Sequence, residues 1–283
     1  MIPVSHAIES RHASVWQLCL IFVLALLLFT AMRWQPESWL QHQIDQQARI
    51  NGIDLRYQTL QVDGLSLRMA HVSIRTAELP GPLMLDSMRI SPAWSLLLSG
   101  IAAAEVKVTL SGQAAKAVLV RQDKYIDLRD LNAVLDVAAL QPLWKLHMPV
   151  PVDSGGTLKL SGQVQLDALS GLPVEGQLDV VWQQARIDLP VFKKPLGDYQ
   201  LTLKATGNAS GIWQWSLGGG TDVMLSGSGQ MNLSGKRPQQ WTINGRVQLR
   251  AVPEARAIAA MLGTQTKVFA ISGKLLNARL QAM

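Results

Sequence analysis

The chain has 283 residues, 48% of them hydrophobic, and 26 Lys and Arg against 20 Asp and Glu give a formal net charge of +6 at pH 7. That apolar content excludes a disordered chain, and cations scattered singly, with Lys193-Lys194 and Lys236-Arg237 the only adjacent pairs, exclude a nucleic-acid-binding stripe. The single cysteine, Cys19, excludes a disulfide within the chain, so burial and strand pairing must hold the fold.

Residues 15–32 carry no charge and are rich in long apolar side chains: Val15, Leu18, Leu20, Ile21, Phe22, Val23, Leu24, Leu26, Leu27, Leu28, Phe29 and Met32. A helix through a bilayer core takes roughly 17 to 25 such residues, so a transmembrane helix is expected over 15–33. Trp16 at one end, and Arg33, Trp34 and Trp39 at or beyond the other, are side chains that settle at the membrane interface. A cleaved signal peptide would need a small-x-small site after the apolar run, and none follows. Trp16, Gln17 and Leu18 are equally unlike the small residues of a lipoprotein signal. Arg11 and Arg33 flank the span with almost no bias, so charge permits an N-in, C-out topology without requiring it.

Pro36, followed by Leu40, Ile44 and Ala48 at a spacing of four, predicts a short amphipathic helix within 34–52 that stops at Asn51-Gly52. From Ile53 the period becomes two, with Leu55 and Tyr57, then Leu65, Leu67 and Met69 after Asp63-Gly64. Pro80, Gly81 and Pro82 interrupt the strands, and Ser91-Pro92 opens a single helical turn through Trp94, Leu96 and Leu97. Alternation resumes at Ala104, Val106, Val108 and Leu110, whereas residues 126–143 fit neither period. Pro149, Pro151 and residues 153–156 read as a linker, dividing the β region into 53–149 and 150–283. Beyond it strands are expected around Leu158 and Leu160, Leu178, Val180 and Trp182, Leu201 and Leu203, and Val223 and Leu225. A helix is expected from Pro253 to Leu262, with Gly263 as its stop.

Four segments, residues 108–112, 157–162, 223–227 and 269–273, alternate apolar residues into Ser-Gly and then resume. Such a repeat predicts a β-meander, with Gly supplying the positive φ of a turn or bulge. The fold class expected is mainly β: a transmembrane helix, then a long, curved, mostly antiparallel meander sheet with few short helices. About fifteen strands would extend roughly 70 Å unless the sheet closed.

Catalytic chemistry finds no support in the pattern. His6, His12, His42, His71 and His147 never pair at metal-ligand spacing. Asp123, Asp127 and Asp130 with Arg121 and Arg129 form the densest charge cluster, read as a loop because no base or nucleophile accompanies it. Gly218-Gly219-Gly220 and Gly235-Lys236 lack the rest of a phosphate loop. Trp182, Trp213, Trp215 and Trp241 are read as core packing. No enzymatic activity and no cofactor are expected.

Several of these residues, taken in order, resemble the type II secretion system protein N family. They are Gly162 with Val164, Gly176 with Leu178, Trp182 with Ala185, Leu196-Gly197 followed by Tyr199 and Leu201, and Gly227 with Gly229. The series ends in Trp241, Thr242, Ile243, Asn244, Gly245, Arg246 and Val247, the helix before Gly263, and Ile271, Ser272, Gly273, Lys274 and Leu275. The resemblance implies a single-pass protein of the bacterial inner membrane, with residues 1–14 in the cytoplasm and a periplasmic β domain related in shape to AsmA-like proteins. It implies an accessory role in type II secretion, with other components of that machinery as partners and no catalytic residues. The alternative is an AsmA-like lipid-binding or lipid-transfer protein, whose phospholipid would lie in an apolar β groove lined by Leu160, Leu178, Val180, Leu201, Leu203 and Leu225.

Overall fold

A computed structural model describes residues 23, 36–50, 52–76, 81–144, 153–188, 195–207, 211–235, 240–252, 260, 266–275 and 278–283. The chain divides into two compact units, residues 1–44 and 45–283. The expected membrane span lies outside the described residues apart from Val23, which is helical, as do Trp16, Arg33 and Trp34. Among the described residues no helix is long and apolar enough to cross a membrane.

Helix α1 (Pro36–Ile50) begins with Pro at its first position and ends as expected. Gly52, at φ +70°, donates to the Arg49 carbonyl at 3.0 Å, and Ile53 to that of Ala48 at 2.8 Å. Its half-buried residues include Leu40, Ile44 and Ala48, the spacing that marked it in the sequence. Trp39 projects from it, 55% exposed.

The second unit is one antiparallel sheet of fifteen strands. In chain order these are β1 (Asp54–Arg56), β2 (Thr59–Asp63), β3 (Ser66–Arg75), β4 (Leu83–Pro92), β5 (Ala103–Leu110), β6 (Gln113–Arg121), β7 (Tyr125–Asp136), β8 (Asp153–Asp167), β9 (Pro173–Asp188), β10 (Gly197–Ala205), β11 (Ile212–Gly219), β12 (Val223–Asn232), β13 (Thr242–Ala251), β14 (Thr266–Lys274) and β15 (Arg279–Ala282). From β3 onward each strand pairs with its sequence neighbour, while β1 and β2 share the outer edge of β3. Helix α2 (Trp94–Leu97) joins β4 to β5, where a helical turn was expected, and α3 (Val137–Trp144) follows β7.

Three expectations change. The ambiguous stretch 126–143 is a strand followed by a helix, because Leu128, Leu131 and Leu135 share one face across a bulge at Asp130, φ +51°, and the bulge breaks the period. Residues 153–156 open β8 rather than forming a linker, and β7 pairs with β8 from Tyr125↔Asp167 to Asp136↔Thr157, so one sheet continues through this point. Of the four Ser-Gly repeats only Ser111-Gly112 is a turn; Gly162, Gly227 and Gly273 lie inside β8, β12 and β14. The expected helix from Pro253 to Leu262 lies outside the described residues except Ala260, which is helical.

Among the described residues the core has three clusters. One joins Met69, Val72, Leu85 and Leu110, with Leu135 of β7 and Leu140 of α3 packed on it. A second joins Val164, Trp213, Trp215, Met231 and Leu233. The third joins Ala185, Leu196, Tyr199 and Val223, with Trp182 and Leu225 against it.

Candidate functional site

Partners directly opposite each other in a sheet point to the same face, and successive residues of a strand point to opposite faces. Following the pairing register therefore separates the two faces of the whole sheet. Leu60 of β2 pairs with Met69, Met69 with Met88, Met88 with Val108, Val108 with Ala115, and Ala115 with Ala133. The row continues through Leu160, Val180, Leu201, Leu217, Gly227, Val247, Phe269 and Ala282. No polar side chain interrupts it from β2 to β15.

One residue away along each strand, the other face reads Gln61, Arg68, Arg89, Lys107, Lys116, Asn132 and Ser161. It goes on through Asp179, Thr202, Ser216, Ser228, Arg246, Ala270 and Gln281. Thr202 Oγ1 donates to Asp179 Oδ1 at 2.7 Å across β9 and β10. The sheet is amphipathic as a whole.

All six residues expected to line a groove fall on the apolar face. Leu160, Val180 and Leu201 are members of the row just traced; Leu178 and Leu203 pair with each other one step along, and Leu225 pairs with Leu249 on the other side. Each is half-buried, with part of its surface open.

The buried tryptophans lie on this face, and glycines make room for them. Trp215 donates from Nε1 to the Asn244 carbonyl at 3.1 Å, and its ring crosses β12 and β13 where Gly229 pairs with Gly245. A Cβ at Gly245 would strike that ring and one at Gly229 the Asn244 carbonyl. Trp182 and Trp241 donate to the carbonyls of Gly155 and Gly235 at 3.0 and 2.9 Å. Trp213, only 1% exposed, has no acceptor for its Nε1 among the described residues. The Tyr199 hydroxyl donates to the Val223 carbonyl at 2.8 Å, and burial together with the charge of Asp222 pushes its pKa up to about 12.

Of the charge cluster expected in a loop, Asp123 lies in the β6–β7 connection, Arg121 ends β6, and Asp127, Arg129 and Asp130 belong to β7, where Asp127 and Arg129 face the polar side. Asp127 is buried and accepts from Gln122 Nε2 at 2.7 Å, Arg129 Nη2 at 2.6 Å and Gln165 Nε2 at 2.9 Å. Burial acts to raise its pKa, but the bonds from Gln165 and Arg129, the Arg129 charge and the Gln122 bond outweigh it and hold the carboxyl below its ordinary value. Its neighbours occupy its oxygens, so the group is arranged as a structural ion pair. Two shallow clefts lie on this face, one of about 690 Å³ lined by residues such as Lys116, Asp130 and Asp179, and one of about 460 Å³ lined by Asp127 with Glu175 and Lys204. Among the described residues no group of three His, Cys, Asp or Glu is placed to hold a metal ion.

No protein-family model matches the chain, and neither does any curated protein or solved structure.

Proposed function

We propose that this chain is an accessory component of a bacterial type II protein secretion system, held in the inner membrane by residues 15–33, whose periplasmic sheet works as an interaction surface without chemistry of its own. The order in which the matching residues from Gly162 to Leu275 follow one another in the sequence is the ground for naming that machinery. The observation that carries the surface reading is the apolar row running unbroken from Leu60 to Ala282, opposite a polar one. Val164 of β8 packs in one cluster with residues of β11 and beyond. On a flat sheet those strands would lie about 14 Å apart, so this packing argues for a sheet that curls toward its apolar face.

The same row favours a second reading, an AsmA-like protein that holds the acyl chains of a phospholipid along this face. Photo-crosslinking residues at Leu160, Leu203 and Leu225 in living cells, with the adducts identified by mass spectrometry, test both. Adducts with secretion components support the first reading and phospholipid adducts the second. Adducts with neither class at all three positions would refute an interaction role for this face.

A further inference from the structure

The end of the sheet formed by the β2–β3 and β4–β5 connections differs from both faces. In an antiparallel meander these two connections lie at the same end. Leu65 at the first is 71% exposed; on the second, Trp94 and Leu98 are 57% and 85% exposed, with Leu97 and Ile101 also open to solvent. No residue of α2 is buried, so these side chains support no core.

The backbone beneath them is nevertheless ordered by its own hydrogen bonds. Leu98 donates to the Trp94 carbonyl at 3.0 Å, Gly100 to Leu97 at 2.9 Å and Ile101 to Leu96 at 3.0 Å, and the Ser99 hydroxyl is bonded to the Ser95 carbonyl. A segment that bonds its own amides from Leu96 to Ile101 while presenting Trp and Leu carries fewer open donors into the acyl boundary of a membrane. Trp is also the residue that settles at the membrane interface.

An independent feature lies a short way below this tip. Arg68, Arg89, Lys107 and Lys116 stand directly opposite one another on β3 to β6, all on the polar face and all exposed. Like charges so placed destabilise a sheet. Among the described residues Glu105, 3.0 Å from Lys107, is the sole carboxylate within ion-pair distance of the four. Arg89 is three residues from the end of β4, roughly 10 Å from the tip. The long, snorkelling side chains of the row then reach the headgroup layer when the tip enters the acyl boundary.

We propose that this end of the sheet is a docking surface for an anionic lipid bilayer, into which Trp94, Leu97, Leu98 and Ile101 insert while the cationic row meets the headgroups. The apolar tip supplies depth and the row supplies lipid selectivity. None of the residues of this contact belongs to the expected span at residues 15–33 or to the apolar row.

The test uses the full chain with Cys19→Ser and Leu98→Cys, labelled with bimane and reconstituted in phosphatidylcholine vesicles with or without phosphatidylglycerol. Doxyl-labelled phosphatidylcholine is placed either in the same vesicles or in a second population added afterwards. The label at residue 98 is expected to shift to the blue and be quenched from one of the two when phosphatidylglycerol is present, and a label at Ser111→Cys, on the turn at the opposite end, is not. Arg68→Gln and Arg89→Gln each weaken the contact about fivefold at low salt. Both should leave the melting temperature unchanged or raised, since each relieves like-charge repulsion. An emission at residue 98 that stays solvent-like with every vesicle overturns the proposal, as does protection that only an added protein provides. Equal quenching with neutral and anionic vesicles overturns the role of the cationic row.

Discussion

Gly162→Ala and Gly112→Ala add the same methyl group to the same Ser-Gly motif, in two environments that the sheet makes unlike. Gly162 lies inside β8 at φ +146°, and a Cβ there would collide with the Gln177 carbonyl oxygen and come within 3.0 Å of the Leu178 Cα. Both atoms are backbone of β9, the paired strand, so no side-chain rotation relieves the contact. The dihedral strain is about 1–3 kcal/mol for a residue other than glycine. Overpacking adds about 1–3 kcal/mol, so a total near 4 kcal/mol is expected. Gly112, in the β5–β6 turn at φ +78°, has nothing within 4 Å of the point where the methyl group would sit. There the left-handed backbone alone costs about 1 kcal/mol.

Urea titration of the full chain in mild detergent, followed by tryptophan fluorescence, reads the difference. With a slope of about 3 kcal/mol per molar, the midpoint falls by roughly 1.3 M for Gly162→Ala and roughly 0.3 M for Gly112→Ala. Equal shifts would refute the claim that close approach of the neighbouring strand, rather than a turn, places glycine at position 162.

Three further outcomes are expected. Trp213→Phe keeps most of a ring that is 1% exposed and removes a buried donor that has no acceptor among the described residues, so it should lie within about 1 kcal/mol of the parent. Trp213→Ala loses about 3–5 kcal/mol, and equal losses for the two in urea would contradict this account. The Asp127 carboxyl is held below its ordinary value, so its contribution is complete above pH of about 4 and disappears as pH falls through the lowered value. Asp127→Asn should therefore be less stable by about 1–3 kcal/mol at neutral pH, with a gap that narrows in acid; a gap that stays constant in acid unfolding curves refutes the assignment. Tyr199, raised to about 12, contributes fully below its ordinary value of 10.0 and loses that share as pH climbs toward 12. Tyr199→Phe should lose about 1 kcal/mol at neutral pH with the bond to Val223 and show a smaller alkaline loss on pH titration of its stability.

Alternation made the strands legible one at a time, and the caps of α1 and the turn at Trp94 were equally plain, because those signals are local. Register is not local. Leu160 and Val180 each announce an inward face, yet only their pairing shows that they continue a row begun at Leu60. The cationic row escaped for the same reason: Arg68, Arg89, Lys107 and Lys116 are far apart in the chain and meet only across strands. Asp127 was misplaced because charge density suggested a loop, whereas a strand with Gln165 directly across it supplies the partners that make a buried carboxylate tolerable. The glycines at 162 and 227 read as turns or bulges because a turn, a bulge and a close strand crossing all favour the residue without a Cβ.

The apolar face is not equally free along its length, and this decides where the two functional readings part. Around Trp213 and Trp215 the sheet fills its own hollow: both indoles are buried, and Gly229 and Gly245 give up their side-chain volume to the Trp215 ring. A ligand there would have to displace rings already packed at protein density, at a cost comparable to opening a core. Along β8 to β10 the same face carries Leu160 and Val180, half-buried and outside that cluster, whereas Leu178, Leu201 and Leu203 pack against it and Trp182 lies farther along β9. An acyl chain or a partner's apolar segment would gain most there, at about 25 cal/mol for each Å² it covers. Crosslinkers at Leu160 and Val180 should therefore capture whatever occupies the face. One at Trp213 should capture nothing, and capture at Trp213 with none at Leu160 and Val180 would reverse this assignment of open and closed parts.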